Sequence, residues 1–178
     1  MKTGTKSLLF GVHQFIWHPL TVWLAWIHLF HEIPSIKETI CIIIHDWGYF
    51  GKPNMDGAEG ERHPEFAAKI AGKLLGETYR ELCLYHSRHY ARNANASPSK
   101  LCWADKYSIM YEPFILYVPR AWLTGELHEY RTIAQQKVPL TSSHRAWFKW
   151  VKAYLSNIGL AKAKGVQDYI NPTHDYKV

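Results

Sequence analysis

The adjacent residues His45 and Asp46 carry the clearest chemical potential in this sequence. They follow the apolar run Ile40-Cys41-Ile42-Ile43-Ile44 and precede a turn at Gly48. The run predicts a buried element that delivers two ionisable side chains to one point. Burying both groups unpaired is costly, and a metal ion is an economical partner for them. Because a His-Asp dipeptide is common, the prediction of a metal site depends on further ligands elsewhere in the chain.

Further candidate ligands lie near predicted helix boundaries and beside apolar residues. They are His18, His63, His86 and Asp105. A single histidine on an apolar face is more often a satisfied core residue than a ligand, but several such residues near helix boundaries favour one shared site. Neutral imidazoles and carboxylates suit Fe, Mn, Co, Ni or Zn, and no cysteine is placed to select a softer site.

Two of these ligand positions have neighbouring alternatives. His28 or His31 could replace His18, although His31 is too close in sequence to His45 for a full returning helix. His86 and His89 are three residues apart, so they occupy neighbouring positions on a helix. We favour His18 and His86 as ligands and expect His89 to lie behind the ligands or to face the substrate.

The elements that must position these residues are predicted to be helices, because apolar residues recur at helical spacing and no period-two alternation is long enough for a strand. Pro19 suits the first turn of a helix, and Ser35 with Glu38 predicts a capping box. The predicted segments are a short amphipathic start (1–17), helices from His18 to Phe30 and from Ser35 to the His-Asp pair, a long loop (47–62), helices over 63–75 and 78–90, a loop (91–96), a helix from Ser97 to Tyr111, a short segment between Pro113 and Pro119, a helix over 124–136, and a last helix from Ser142 or Ser143 to Gly159, before a polar tail.

The composition of the 178 residues is that of one ordinary globular domain, with 47% apolar and 20% charged residues. The net charge of +6 suits an anionic partner, but the basic residues are dispersed, so nucleic-acid binding is not favoured. Cys41, Cys83 and Cys102 sit beside apolar residues and predict reduced core thiols. No apolar stretch suits a signal peptide or a membrane span, so we expect a cytoplasmic protein.

The order His…His-Asp…His…His…Asp on successive predicted helices resembles the HD-domain superfamily of metal-dependent phosphohydrolases. The strings that carry this resemblance are HPLTV at 18–22, IIHDWG at 43–48, HPEFAAKIA at 63–71 and ADKYS at 104–108. The resemblance covers about residues 13–112. It implies an all-α, single-domain HD helical bundle, here with a C-terminal helical extension over about 113–158 and a tail over 159–178.

Carried across residue by residue, the resemblance makes His18, His45, Asp46 and Asp105 the ligands of a core metal ion. It makes His63 and His86 ligands of a second ion, with Asp46 as the bridge between the two. Two divalent transition-metal ions are therefore expected, with Fe or Mn favoured over Zn, Co or Ni.

The resemblance also suggests catalytic residues. Asp46 and His63 are assigned catalytic roles as well as ligand roles, and Lys52 is a further catalytic candidate. Many two-metal members carry a lysine directly after His-Asp-x-Gly. Here three residues separate Gly48 from Lys52, so the sequence departs from the family pattern at this lysine. Independently of the resemblance, Arg62, Arg88 and Lys106 are predicted to contact phosphate or substrate because they are adjacent to ligand positions, and His89 is a further predicted substrate contact.

The function implied by this resemblance is hydrolysis of a phosphoester or phosphoanhydride in a small, nucleotide-like substrate. The same ligand order also resembles the HD-type mixed-valent di-iron oxygenases, and a non-catalytic nucleotide-sensing HD domain is a third alternative. Trp47, Tyr49 and Phe50 are open to two interpretations, as a platform for a base or sugar and as core anchors of the long loop. Surface positions are expected for His128, His144 and His174, and a structural role is favoured for His13.

Overall fold

The chain folds into α-helices, and the computed structural model describes residues 1–163. Within that range there are no strands, which confirms the all-α prediction. Short 3-10 helices occupy Trp47–Tyr49, Gly60–Arg62 and Ser108–Tyr111. The α-helices of the described range are α1 (Thr3–Phe10), α2 (Trp17–Phe30), α3 (Ile36–Ile44), α4 (Pro64–Leu75), α5 (Glu77–Leu84), α6 (Arg88–Asn93), α7 (Lys100–Tyr107), α8 (Phe114–Thr124), α9 (Glu126–Ala134) and α10 (His144–Ala163).

Local signals in the sequence explain where the helices next to the His-Asp pair begin. The Ser35 side chain accepts a hydrogen bond from Glu38 N at 3.3 Å, and the Glu38 carboxylate accepts one from Ser35 N at 2.7 Å. This capping box satisfies backbone donors that helix α3 would otherwise leave unpaired. Pro64 opens α4, where its missing N–H costs no intrahelical hydrogen bond.

Two clusters of buried apolar side chains hold the helices together. The first joins α2, α3, α4 and α7 through residues such as Val22, Trp26, Ile42, Ala71 and Leu101. The three cysteines are free thiols in this core, each fully buried. The second joins the N-terminal segment and the long loop to α8, α9 and α10 through Leu8, Met55, Val118, Leu127 and Trp147.

Several predicted helix boundaries are wrong, and capping contacts explain two of the differences. The helix predicted over 78–90 is divided, because α5 ends at Leu84 and Ser87 caps a separate α6 by accepting a hydrogen bond from His89 N. That second helix extends to Asn93, into the segment predicted as a loop. Ser99, rather than Ser97, caps α7 by accepting from Cys102 N.

The other two corrections concern residues predicted to end helices. Pro119 lies inside α8 on its exposed side rather than at a boundary. Gly159 lies inside α10, which continues to Ala163. A Cβ at position 159 would come within 3.1 Å of the Tyr107 Cβ, so this glycine allows α10 to approach α7 closely.

No helix among residues 1–163 combines the length and the apolar character that crossing a bilayer requires.

Candidate metal centre

Helix ends deliver the six predicted metal ligands to one region of the bundle. His18 lies in the first turn of α2, His45 and Asp46 follow α3, and His63 immediately precedes α4. His86 occupies the break between α5 and α6, and Asp105 lies on α7. All are buried except Asp105, which keeps slight exposure. The structure therefore brings the whole predicted set together.

The first group of potential ligand atoms comprises His18, His45, Asp46 and Asp105. His18 Nε2 lies 3.2 Å from Asp46 Oδ2 and 3.1 Å from Asp105 Oδ1. His45 Nε2 lies 3.2 Å from the same Asp46 oxygen and 3.9 Å from Asp105 Oδ1. Two imidazole nitrogens and two carboxylate oxygens thus face a common point, as in a site for a divalent transition metal.

The second group comprises Asp46, His63 and His86. His63 Nε2 and His86 Nε2 lie 3.6 and 3.7 Å from Asp46 Oδ1. Asp46 therefore presents one oxygen to each group, which is the arrangement required of a carboxylate that bridges two ions.

Backbone carbonyl groups orient three of the four imidazoles. Nδ1 of His45 lies 2.7 Å from the carbonyl oxygen of Ile42, and Nδ1 of His63 lies 2.7 Å from that of Gly60. Nδ1 of His86 makes the equivalent contact with the carbonyl of Cys83. A carbonyl can only accept, so each Nδ1 carries a proton, and a ring in its neutral form directs an Nε2 lone pair into the site.

The unsatisfied polar atoms of this site fit a cation. His18 Nε2, His45 Nε2 and Asp46 Oδ2 are buried without a hydrogen bond of acceptable geometry to any described residue. His63 Nε2 and His86 Nε2 lie only 2.8 Å apart, although in the neutral form just described neither nitrogen carries a proton. Buried polar atoms are normally satisfied. A positive ion in each group would satisfy these atoms together.

The electrostatics of the metal-free cluster are dominated by Asp46 and Asp105. Burial disfavours ionisation of both carboxyls, but the facing histidines, and Lys106 in the case of Asp105, hold their pKa values well below the usual range. Burial likewise opposes the charge on His18, yet Asp105 and Asp46 raise its pKa to about 9. The same carboxylates overcome burial at His45 and raise its pKa to about 10.

His63 differs from these two histidines. Burial and the neighbouring His86 hold the pKa of His63 well below its usual value, so its ring stays neutral. A neutral imidazole is the form that binds a metal. The Tyr49 ring stacks on His63 with centroids 3.9 Å apart, which fixes the plane of the imidazole.

A cavity of about 150 Å³ includes the cluster and continues beyond it. Three of the predicted substrate contacts, Arg88, His89 and Lys106, line this cavity, as does Arg92. Lys106 Nζ lies 3.5 Å from Asp105 Oδ2, directly beside the first group. The structure thus places positive charge and the candidate metal centre in the same cavity.

Two predicted functional residues lie elsewhere. Lys52 and Arg62 are absent from the cavity lining and instead line a separate surface groove with Trp47 and Phe50. Arg62 pairs with Glu65 at 3.1 Å on the exposed side of α4. Of the three aromatic residues left open by the sequence, only Tyr49 is buried and faces the cavity.

The remaining histidines of the described residues lie outside the two ligand groups. His28 contacts the Tyr107 hydroxyl at 2.9 Å, and His31 is an exposed residue at the end of α2, so neither replaces His18. His128 and His144 are exposed, and His174 lies outside the described residues. His13 lines the cavity, with its ring centroid 5.2 Å from that of His18, and also contacts the buried Glu126, which is compatible with the structural role favoured for it.

Sequence reasoning missed the buried network behind His13. Glu126, at the start of α9, is fully buried and contacts His13 Nδ1 at 3.1 Å and the Ser7 hydroxyl at 2.6 Å. Thr124 and Tyr130 also donate to its carboxylate. A lone glutamate in a helix that carries other charged residues gives no sequence signal of burial. The aromatic lining contributed by α8 to α10 was equally invisible, because those helices lie outside the recognised motifs.

Comparison of the chain with known protein families, curated proteins and solved structures found no match. The geometry is that of a helical protein with a buried His/Asp cluster that could hold one or more metal ions, and it is compatible with an HD-like site.

Proposed function

We propose that this chain is a metal-dependent phosphohydrolase of the HD type, which cleaves a phosphoester or phosphoanhydride bond. The observation that carries the proposal is the division of the ligand atoms into two groups that share Asp46. Each Asp46 oxygen faces one group, and the cations of the same cavity suit a phosphorylated substrate.

The six clustered side chains would hold two divalent ions. When bound, such ions neutralise phosphoryl oxygens and lower the pKa of an attacking water. His18, His45 and Asp105 would complete the first site with Asp46, whereas His63 and His86 would complete the second. The second site has fewer protein ligands, which leaves more of its coordination open to substrate.

The residues around the cluster have separate roles in this proposal. Arg88 and Lys106 bind phosphoryl oxygens through their positive charge and orient the scissile bond. His89 Nε2 lies 2.9 Å from the Asn93 side-chain amide, which can donate to it, so the neutral ring carries its proton on Nδ1. That N–H is available to a substrate oxygen. Lys52 and Arg62 receive no part in the reaction because they do not line the cavity.

The test uses purified chain stripped of metal and reloaded with Mn²⁺ or Fe²⁺. We expect hydrolysis of p-nitrophenyl phosphate or bis-p-nitrophenyl phosphate that stops when a chelator is added. Asp46→Asn should reduce the rate by at least about a hundredfold, since even groups that only support metal ligands are worth ten- to a hundredfold. Glu77→Gln, the same chemical change on an exposed side of α5, serves as the control.

Assays under nitrogen separate hydrolysis from oxygen chemistry. A hydrolase forms product at the same rate with and without O₂, whereas an oxygenase consumes O₂ and stops in its absence. Failure to hydrolyse these esters and a panel of nucleotides, with both sites fully loaded, would contradict the proposal. Loading is established by elemental analysis of the same sample.

A further inference from the structure

The cavity extends from the metal cluster into a region enclosed by the C-terminal helices, which we call the aromatic compartment. It is defined by Asp56, Glu112, Tyr117, Tyr130, Trp147 and Trp150, all of which line the cavity. Four of these six residues are aromatic and two are carboxylates. None of them belongs to the predicted metal ligands.

Both carboxylates of the aromatic compartment keep an oxygen without a hydrogen-bond partner among the described residues. Glu112 is only 3% exposed, and its Oε2 accepts from Arg120 while Oε1 has no partner. Asp56 Oδ2 is also inaccessible to solvent and unpartnered. Buried carboxylate oxygens that are left unsatisfied are costly, and a positive charge held in the cavity would offset that cost.

Both carboxylates line the cavity together with Tyr117. Burial raises the pKa of Tyr117, and Glu126, Glu112 and Asp56 raise it further, so Tyr117 lies in the field of both carboxylates. Burial also raises the pKa of Asp56 to about 6, although Lys106 opposes the shift, so Asp56 is largely ionised at neutral pH.

Charge is distributed unevenly along the cavity wall. The lining cations are Arg88 and Arg92 of α6 and Lys106 of α7; Lys106 lies beside Asp105 and also opposes the rise in the pKa of Asp56. No cation from α8, α9 or α10 lines the cavity among the described residues. Arg120 and Lys152 stand behind Glu112, bound to its side chain and its carbonyl respectively, and do not line the cavity.

We propose that the aromatic compartment binds an organic ammonium group at the end of the substrate remote from its phosphate. Aromatic faces attract a desolvated cation, and the unpartnered carboxylate oxygens supply the opposite charge. This proposal rests on the proposed function for the phosphate end. The substrate class is then a compact phosphate ester of an amino or quaternary-ammonium alcohol.

The size of the cavity favours such a compact substrate over a nucleotide. The volume of about 150 Å³ includes the metal cluster. A two-carbon phosphate ester with an ammonium group would need far less of this volume than a nucleoside monophosphate, which adds a ribose and a base to its phosphate.

The test compares ligands that differ only in charge. Choline phosphate is compared with 3,3-dimethylbutyl phosphate, in which an uncharged tert-butyl group replaces the trimethylammonium group. Choline and 3,3-dimethylbutanol form the same pair without phosphate, and all four are titrated into the metal-loaded chain. Binding is measured by calorimetry and by tryptophan fluorescence, and hydrolysis by phosphate release. We expect each ammonium compound to bind at least about tenfold more tightly than its tert-butyl counterpart.

Substitutions test whether the aromatic compartment is the source of the preference for an ammonium group. Glu112→Gln and Trp150→Leu should each reduce the ratio of choline affinity to dimethylbutanol affinity toward one. Glu77→Gln and Trp122→Leu, at exposed positions, should leave it unchanged; Trp122 is 71% exposed. The wild-type ratio decides the proposal even where a variant fails to fold.

Three outcomes are decisive. Equal binding of the charged and neutral isosteres overturns the ammonium site. Tighter binding of a nucleoside monophosphate than of choline phosphate also overturns it, in favour of a nucleobase site. If choline keeps its advantage while no phosphate ester is hydrolysed, the ammonium site stands and the hydrolase proposal fails.

Discussion

Asp46 connects the two halves of the candidate metal centre because its two carboxylate oxygens face different histidine pairs. One oxygen lies 3.2 Å from His18 and His45, and the other lies 3.6 and 3.7 Å from His63 and His86. No other residue belongs to both ligand groups among the described residues. A change at Asp46 should therefore affect both ions, whereas a change at one histidine should affect mainly one.

The sequence left His86 and His89 as alternative ligands, and their positions now differ clearly. His86 Nε2 points at His63 Nε2 in the buried cluster, whereas His89 contacts Asn93. We predict that His86→Gln lowers the bound metal from about two ions per chain to about one, while His89→Gln retains two. Elemental analysis of both variants, purified side by side, makes the comparison. Loss of an ion from the His89 variant alone would reverse the assignment.

Protonation of the first ligand group should make metal binding depend on pH. The carboxylates raise the pKa of His18 to about 9 and that of His45 to about 10, so both rings are protonated at pH 7 without metal. Binding requires the neutral rings, so it should release roughly two protons at pH 7 and strengthen as the pH rises toward 9–10. Calorimetry in buffers of different ionisation enthalpy counts these protons.

The same two histidines set the sign of the pH effect on the metal-free chain. Their folded pKa values lie above the unfolded value of 6.5, so their contribution to stability is complete below that pH and is lost as the pH rises through 9–10. Metal affinity and metal-free stability should thus change in opposite directions over this range. Binding enthalpies that do not vary with buffer would contradict the assigned protonation states.

At the scale of elements, sequence signals predicted the starts of α3 and α4, whereas the helix boundaries around His86 and before Asp105 were misplaced. Ser35 with Glu38 and Pro64 act through their immediate neighbours, so the starts of α3 and α4 could be read from the sequence. Gly159 could not, because it allows contact with Tyr107, which is distant in sequence. For the candidate site, the order of the candidate ligands could be read from the sequence. Glu126 and the aromatic lining could not, because their positions depend on tertiary packing alone.

Gly48 shows how closely one element must approach another to place His63. A Cβ at Gly48 would overlap the backbone carbonyl of His63, whereas a Cβ at Gly51 would meet no atom within 4 Å. Gly51→Ala should cost only about 1 kcal/mol, because its φ of +79° is unfavourable for alanine. Gly48→Ala should cost at least about 3 kcal/mol and weaken binding of the second ion.

Urea unfolding and metal analysis of the two alanine variants measure these effects under the same conditions. Gly51→Ala is the matched control, since it makes the same chemical change in the same loop. Equal destabilisation by both changes would mean that the contact between Gly48 and His63 does not constrain the site.

At the scale of the whole molecule, the C-terminal helices are integrated with the segment that carries the candidate metal ligands. Trp147 of α10 belongs to the same buried cluster as Leu8 of α1 and Met55 of the long loop. Glu126 of α9 is hydrogen-bonded to Ser7 and to the backbone N–H of Val12. The cavity itself is lined from both parts of the chain, so the candidate site includes residues of the C-terminal helices as well as the segments that carry the candidate ligands.

This integration predicts one cooperative unfolding transition for the metal-free chain. The two parts share the apolar cluster and the Glu126 network, so neither part can separate without exposing apolar surface and a buried carboxylate. Urea curves from far-ultraviolet circular dichroism and from tryptophan fluorescence should coincide. Glu126→Ala should lower the free energy of unfolding by about 3–5 kcal/mol, because it leaves the Ser7, His13 and Thr124 groups without their shared partner. Two separated transitions in the unaltered chain would instead show that the C-terminal helices fold as an independent unit, and the aromatic compartment would then lie between two domains.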